Sequence, residues 1–273
     1  MSDDELLVHR EGYVGVVEFN RPKRQNAFTW KMYDLVSDAM DRHEDDDEVR
    51  VIVVRGAGPS FSSGFDLGEP VGADHVAKQK QMTRIAHRAR LKVWNQPKPT
   101  IAQIHGYCLG GAHDLALACD CAIAAEDAKL GVPEIQFGMG SPFLLMPWIV
   151  GLRKTKELLL TGKTISGTQA AEYGIVNYAV PLDKLSDRVL ELAEEFAQVP
   201  PPALMLQKKG INRAVEMSGF SNAANAWLDL AGVGRLWKSP EVEEFNAVAA
   251  RDGIKAALQW RKAKYAKKPK AGR

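Results

Sequence analysis

The sequence predicts an α/β protein with a helical C-terminal region. In the first half of the chain, short segments rich in valine and isoleucine alternate with stretches of helical periodicity, which is the pattern of strand–loop–helix units. From about residue 183 onward, helical segments follow one another with no strand signal between them, and three consecutive prolines at 200–202 mark a break. We therefore predict an α/β core over residues 1–200 and a helical region over residues 201–273.

The first elements of the core follow from local signals. Residues 13–19 are rich in β-branched and aromatic side chains and end at Asn20-Arg-Pro22, which indicates a strand. Residues 29–44 carry apolar side chains at helical spacing, and Thr29 is placed to cap that helix. Residues 49–55 are almost continuously apolar, which predicts a strand buried on both faces.

The second part of the core repeats this alternation. A helix is predicted over residues 77–94, because Pro97 prevents it from continuing. A strand over residues 100–105 then leads through glycines into a helix over residues 113–118. A further strand is predicted over residues 120–125.

The C-terminal region carries many apolar side chains for a few short helices. Its helices are predicted over residues 183–198, 202–217, 221–234, 239–251 and 253–266. The bulky apolar side chains concentrate at Trp227, Leu228, Leu230, Val233, Leu236 and Trp237. Such a concentration requires packing on the core or on another subunit.

Composition limits the class of protein. Hydrophobic residues make up 45% and charged residues 26%, which supports a buried core rather than disorder. No apolar run approaches the roughly 20 residues that a membrane helix needs. The N-terminus is acidic, unlike a signal or transit peptide, so we expect a cytoplasmic location. The odd set of Cys108, Cys119 and Cys121 indicates small core residues in a reducing compartment rather than disulfides or a metal site.

Charge is distributed unevenly along the chain. The formal net charge is +2, but residues 261–273 hold seven lysines or arginines and no acid, so the remainder carries a net charge of −5. A basic tail of this kind binds nucleic acid, a membrane surface or a phosphorylated ligand, or else is a solvated terminus.

Two glycine-containing loops follow predicted strands, over residues 61–66 and 105–114. In the second loop a helix begins at once, so its free N–H groups and the positive end of its dipole point outward. Side by side, two such loops would direct backbone donors at one developing oxyanion. Asp114 lies in the first turn of that helix, and Glu134 follows a short strand. Two carboxylates can divide acid and base roles, although each position also fits a helix-capping or surface acid.

Several segments together resemble one family. The matching stretches are residues 20–27, 51–58, 61–67, 97–106, 109–120, 124–128, 131–138, 158–166 and 170–177. In order and spacing they resemble the enoyl-CoA hydratase/isomerase (crotonase) family from about residue 13 to 181. The resemblance implies a spiral of ββα units, a helical C-terminal trimerisation region and a homotrimer or hexamer. It also implies an acyl-coenzyme A thioester substrate, no metal, and no cofactor apart from the coenzyme A of the substrate.

The same resemblance assigns roles to individual residues. The oxyanion-hole donors would be the N–H groups of Ser63 and Gly111, and the catalytic acids would be Asp114 and Glu134. The residues expected to contact coenzyme A are Asp66 and Leu67, along its length, and Lys23 and Arg24, at its nucleotide end.

The chain departs from the family pattern at the acidic positions and at the acyl pocket. Standard hydratases have Glu where this chain has Asp114, whose carboxylate is shorter by one methylene. Dienoyl-CoA isomerases have Asp there, but they carry a further Asp where this chain has Pro142. The usual Gly-Gly-Thr-Gln stretch is replaced by residues 140–148, so we expect an unusual acyl group.

Hydration of a 2-enoyl-CoA is the first functional hypothesis. Glu134 would exchange a proton with the α-carbon, while Asp114 and Glu134 together would hold the water. Double-bond isomerisation and hydrolysis of a cyclic or β-keto acyl-CoA are the alternatives within the family. RNA binding through the basic tail is an alternative of another class, although no aromatic-rich motif supports it.

Overall fold

A computed structural model describes residues 4–66, 68, 75–137, 140, 143, 145–234, 239–264 and 266. The strands in these residues are β1 (Leu6–Glu11), β2 (Val14–Phe19), β3 (Val51–Gly56), β4 (Thr100–Ile104), β5 (Tyr107–Leu109), β6 (Cys121–Ala125), β7 (Lys129–Gly131), β8 (Ile165–Ser166) and β9 (Tyr178–Val180). The α-helices are α1 (Trp30–Asp45), α2 (His75–Trp94), α3 (Gly111–Ala118), α4 (Met146–Thr161), α5 (Gly167–Glu172), α6 (Leu185–Ala197), α7 (Pro201–Met217), α8 (Phe220–Gly234), α9 (Pro240–Asp252) and α10 (Ile254–Lys264).

The larger sheet has the strand order β1-β2-β3-β4-β6-β9. Its strands are parallel from β2 to β9, and only the edge strand β1 runs antiparallel to its neighbour. The central strand β3 is buried along almost its whole length, as its continuous apolar sequence predicts. Helices α1 and α2 pack against each other, and α6 covers β3, β4 and β6.

The smaller sheet, of order β5-β7-β8, generates the spiral of the fold. Strands β4 and β5 followed by α3 form one ββα unit, and β6 and β7 followed by α4 form the next. Because each unit turns from the large sheet to the small one and back, the loops after β3 and β5 meet. An isolated bridge joins Ser62, in the loop after β3, to Cys108 of β5, and another joins Phe65 of the same loop to Phe28, just before α1.

The structure confirms most predicted elements of the core. Thr29 caps α1, and its hydroxyl accepts a hydrogen bond from the Met32 N–H at 3.1 Å. Strand β1 was not predicted, because only its first residues are apolar and its outer half is exposed. Helix α4 was also not predicted, because the apolar run of residues 142–151, which overlaps its start, contains two prolines. Pro147 is tolerated because it lies in the first turn of the helix.

The C-terminal region consists of helices, as predicted. Lys208 of α7 fastens it to the core, since its ammonium donates to the Asp120 carboxylate at 2.7 Å. Trp227 of α8 packs against Gly140 of the core, whose Cβ, if it had one, would lie 2.6 Å from the indole ring. Leu236, Trp237 and the last residues of the basic tail lie outside the described residues, and the division at residue 200 stays a prediction. No helix in the described chain has the length and hydropathy of a membrane span.

Candidate active site

The two glycine-containing loops lie side by side at one edge of the fold. The Leu109 N–H donates to the Ser62 carbonyl at 3.1 Å. Gly64 has a φ of +88°, and a Cβ on it would lie 2.5 Å from the Leu109 carbonyl oxygen and 3.5 Å from the Gly111 nitrogen. Only glycine fits this contact, so it holds the first loop against the start of α3.

The backbone N–H groups of the first loop are almost all committed to acceptors. The Ser63 N–H donates to the Gln25 carbonyl at 2.9 Å, and the Asp66 N–H donates to the Phe28 carbonyl at 2.9 Å. The Gly64 N–H donates to the Ser62 hydroxyl at 3.1 Å. Between them, the Phe65 N–H has no acceptor among the described residues. An N–H already bonded to a carbonyl is a poor oxyanion donor, so this geometry corrects the choice of Ser63 and favours Phe65.

The second loop supplies the first N–H groups of α3. Gly110 has a φ of +53° and its own N–H donates to the Gly131 carbonyl at 2.8 Å, which fixes the turn. Gly111 is the first residue of the helix, so its N–H has no partner within the helix. All eight residues of α3 are buried. The helix therefore presents the positive end of its dipole to a site shielded from water.

The two predicted catalytic acids come together at this helix end. Asp114 is 1% exposed in the first turn of α3. Glu134 lies in the short 3₁₀ turn Pro133–Phe137 that follows β7. Its Oε1 lies so close to Gly110 that a Cβ on this glycine would overlap it. Burial, followed by the Asp114 charge, raises the pKa of Glu134 to about 7, while the N–H of Glu134 itself, Arg90 and the N–H of Gly111 oppose the shift. Glu134 can therefore gain and lose a proton near neutral pH.

Two further side chains reach the same place, and neither was predicted from the sequence. Arg90 of α2 is 2% exposed, and its Nη2 lies 3.8 Å from Asp114 Oδ2 and 3.4 Å from the Tyr33 hydroxyl. A Cβ on Gly111 would lie 2.4 Å from that hydroxyl oxygen. Burial is the main cause that raises the pKa of Tyr33 to about 12, so the phenol remains neutral. In sequence, Arg90 looks like any polar residue of a helix.

Two of the residues expected to contact coenzyme A, Lys23 and Arg24, are exposed in the short 3₁₀ turn Pro22–Arg24, and neither forms an ion pair within the described chain. The Asp66 carboxylate instead accepts a hydrogen bond from Arg21 Nη1 at 3.0 Å, which ties its loop to the core. Leu67 lies outside the described residues. The coenzyme A contacts stay predictions.

An aromatic cluster lies next to Arg90. His87 precedes it by one helical turn, and burial, followed by the Arg90 charge, lowers the pKa of His87 to about 4, so this imidazole is neutral. The His87 ring lies 6.0 Å from the Phe143 ring, which lies 5.4 Å from Phe220. Phe143 belongs to the segment that departs from the family pattern. No group of three or more His, Cys, Asp or Glu in the described ranges is arranged to hold a metal.

The spiral of ββα units, with backbone donors and two buried acids at one helix terminus, defines a crotonase-fold protein. The family model "Enoyl-CoA hydratase/isomerase" matches residues 9–227, and the chain belongs to this family. It is 38% identical to the crystal structure of an enoyl-CoA hydratase/isomerase from Xanthobacter autotrophicus Py2, with a TM-score of 0.91 over 97% of this chain and 100% of that one.

Two relatives carry more specific names. The hydroxycinnamoyl-CoA hydratase-lyase of Pseudomonas fluorescens is 34% identical over 224 residues, which cover 80% of this chain and 81% of the relative. The short-chain-enoyl-CoA hydratase of Clostridium acetobutylicum is 30% identical over 220 residues, which cover 79% and 84%. The two names share hydratase chemistry on an acyl-CoA and differ in the acyl group.

Proposed function

We propose that this protein adds water to the double bond of a 2-enoyl-CoA thioester. The observation that carries the proposal is the placement of two carboxylates, Asp114 and Glu134, within electrostatic reach of each other at the N-terminus of α3. Hydration needs one group to hold the attacking water and one to move a proton, and paired acids in different environments provide both. The hydratase names of the relatives support the same reaction.

The oxyanion is assigned to the N–H groups of Phe65 and Gly111. Addition of a nucleophile to the β-carbon moves negative charge onto the thioester oxygen, and two fixed donors stabilise that charge without reorganising. The Gly111 N–H contacts the Glu134 carboxylate, a side-chain acceptor that the thioester oxygen would displace, whereas the Ser63 N–H is bonded to a backbone carbonyl. The aromatic ring of Phe65 lies 4.3 Å from that of Trp30, and this packing steadies the backbone that carries the other donor.

The proton inventory of the reaction balances with these two acids. The oxygen of water adds to the β-carbon, one water hydrogen stays on the new hydroxyl, and the α-carbon gains one proton. Glu134, with a pKa of about 7, delivers the α-proton and is reprotonated from the water. Asp114 accepts a hydrogen bond from the water and orients its lone pair. Isomerisation would use Glu134 as the proton shuttle with Asp114 as a helper, so the same two acids serve either reaction, and the hydratase names of the relatives favour hydration.

The proposal also assigns the residues that contact the coenzyme A part of the substrate. Lys23 and Arg24 bind the nucleotide phosphates, and Asp66 and Leu67 belong to the loop that lies along the coenzyme A.

The oligomeric state is a further part of the proposal. Helix α7 has no buried residue and exposes large apolar side chains, which supports a homotrimer or hexamer. These side chains are Met205, Leu206, Ile211 and Met217. We retain a cytoplasmic location as part of the proposal.

The basic tail favours a structural role over nucleic-acid binding. The Arg261 guanidinium lies 4.3 Å from the Phe245 ring of α9, and the Lys264 ammonium lies 4.9 Å from the Trp260 ring. Lys264 also forms an ion pair with Glu244. These cations therefore join α10 to α9. RNA affinity, measured at several salt concentrations with and without residues 261–273, separates the two roles. An affinity that falls with salt and with removal of the tail would indicate nucleic-acid binding.

A panel of 2-enoyl-CoA esters, followed by mass spectrometry, tests the reaction. Hydration adds 18 mass units, isomerisation changes only the retention time, and hydrolysis releases free coenzyme A. We expect the hydrated product, and we expect Glu134→Gln to lower turnover by about 10²- to 10⁴-fold while ester binding persists. Glu172→Gln, at an exposed position of α5, is the matched control. Unchanged turnover by Glu134→Gln, or isomerised product alone, would overturn the proposal.

A further inference from the structure

The guanidinium of Arg90 has hydrogen-bonding capacity that the described residues do not use. Its side chain is 2% exposed, and its polar contacts within those residues, to the Tyr33 hydroxyl and Asp114 Oδ2, both lie at Nη2. Nε and Nη1 are buried, and neither has a hydrogen-bond partner in the described part of the chain. Together they carry three N–H donors.

An arrangement of this kind is costly unless something uses it. A buried donor without a partner loses about 1–3 kcal/mol, and more when the group is charged. The single ion-pair contact of Arg90 is long, at 3.8 Å, and its bond to Tyr33, at 3.4 Å, is at the limit of a hydrogen bond. Stability of the free protein alone therefore does not account for an arginine here, since an apolar side chain of similar volume avoids these losses.

The position of Arg90 connects it to the acyl group. A Cβ on Gly111 would lie 3.1 Å from Arg90 Nη2, so the guanidinium ends at the helix terminus where the thioester is activated. A second polar atom at the same terminus, Glu134 Oε2, is also buried without a partner among the described residues. Side chains with unused donors and an unused acceptor thus reach the same helix terminus, as in a site that is completed by its ligand.

The neighbours of Arg90 restrict what that ligand group is. His87 lies one helical turn before Arg90 on α2, its ring is 6.0 Å from that of Phe143, and its imidazole is neutral. Within the described chain, Arg90 is the cation that acts on both acids and on His87. Aromatic rings beside a buried cluster of N–H donors favour an acyl group that is largely apolar and carries an oxygen acceptor.

We propose that Arg90 is an acyl-binding residue that donates hydrogen bonds to an oxygen carried by the acyl group at or beyond its β-carbon. The inference rests on the proposed function, because it places the thioester at Gly111. It assigns the substrate to the oxygen-bearing enoyl-CoA esters, with a carboxylate, ketone or hydroxyl on the acyl chain, rather than to plain alkyl esters. Asp114, 3.8 Å from Arg90, keeps the guanidinium oriented toward that oxygen.

Binding of saturated esters tests this assignment, because they lack the double bond and cannot be hydrated. Pentanoyl-CoA, 4-oxopentanoyl-CoA and 4-carboxybutanoyl-CoA offer an alkyl group, a neutral oxygen and a carboxylate on similar chains. In calorimetric titrations we expect the native protein to bind at least one oxygen-bearing ester about 10- to 100-fold more tightly than pentanoyl-CoA. Whether 4-oxopentanoyl-CoA or 4-carboxybutanoyl-CoA binds more tightly decides between a neutral and an anionic acyl group.

The variant Arg90→Met should abolish that preference, because methionine keeps an unbranched side chain and removes every donor. Arg88→Met is the matched control, since Arg88 lies on the same helix, is exposed and pairs with Asp34 at 2.9 Å. It should keep the native preference. Arg90→Lys, which keeps the charge but not the planar fork, serves the same comparison if the methionine variant does not fold.

Equal binding of all three esters by the native protein would overturn the inference, as would a preference that persists in the Arg90 variants. Uniform loss of affinity for all three esters in Arg90→Met would show that Arg90 only positions Asp114 and Tyr33, and would also overturn it. These titrations do not depend on catalysis. A failed hydratase assay together with a preference that requires Arg90 would therefore contradict the proposed reaction and leave the acyl assignment in place.

Discussion

Glu134 should make the folded protein less stable as the pH rises, and Glu134→Gln should remove that effect. The pKa of this carboxyl is raised from 4.5 to about 7, first by burial and then by the Asp114 charge. Below pH 4.5 the side chain is protonated in both the folded and the unfolded chain. Between pH 4.5 and 7 the unfolded chain loses the proton while the folded chain keeps it, so the free energy of unfolding falls.

The size of the effect follows from the two pKa values. A shift of one pKa unit corresponds to about 1.4 kcal/mol, so the full effect is about 3 kcal/mol, of which about 2.5 kcal/mol develops between pH 5 and pH 8. Glutamine has nearly the same shape and does not titrate. The glutamine amide lacks matching hydrogen-bond partners at this position, and this lowers the free energy of unfolding by an amount that does not change with pH. The stability of Glu134→Gln relative to the native protein should therefore rise by about 2–3 kcal/mol from pH 5 to pH 8.

Urea unfolding at pH 5, 6, 7 and 8, at one protein concentration, measures this difference. Titrating groups that do not interact with Glu134 cancel, because both proteins share them. Glu172→Gln, at an exposed position, controls for the loss of one negative charge and should give a difference that is flat with pH. A flat difference for Glu134→Gln as well would refute the assignment of a buried, proton-holding carboxyl at this position.

The remaining predictions concern the second acid, the glycine turn and the assembly. Asp114→Ala should lose most hydratase activity, measured with the ester that the native protein hydrates fastest, and Asp114→Glu should retain more. Gly110→Ala should lose at least about 100-fold in turnover, because the new methyl group would lie 1.6 Å from Glu134 Oε1. Gly174→Ala, with a φ of +76° but nothing within 4 Å, should only lose stability. Light scattering at micromolar concentration should show a trimer or hexamer, and Leu206→Glu on the exposed face of α7 should dissociate it.

The backbone of the core was largely predictable from local signals. Thr29 caps α1, and β3 is a buried central strand, because capping and continuous hydrophobicity act within a few residues. Strands β5, β7 and β8 have two or three residues each and were not predicted as a sheet. Their pairing depends on residues that are distant in sequence, and three residues carry too little periodicity to detect.

The sequence indicated the two acidic residues of the candidate site, but it indicated only one of the two backbone N–H groups assigned to the oxyanion. Asp114 and Glu134 follow glycine turns that a sequence displays directly. The choice between Ser63 and Phe65 depends on which N–H is taken by the Gln25 carbonyl, and that contact joins two loops. Arg90 and Tyr33 were missed for the same reason, because their positions at the site come from the packing of α2 on α3 and of α1 on α2.

The two departures of the acyl side from the family pattern have a common physical consequence. An aspartate at position 114 holds its carboxylate closer to the helix by one methylene, and this carboxylate faces Arg90 at 3.8 Å. The shorter side chain leaves space toward the reacting carbons that a glutamate would occupy. Phe143, from the other departing segment, has its ring 6.0 Å from that of His87, one helical turn before Arg90. A hydrated alkyl chain needs neither the space nor the cation, whereas an acyl group with its own oxygen uses both.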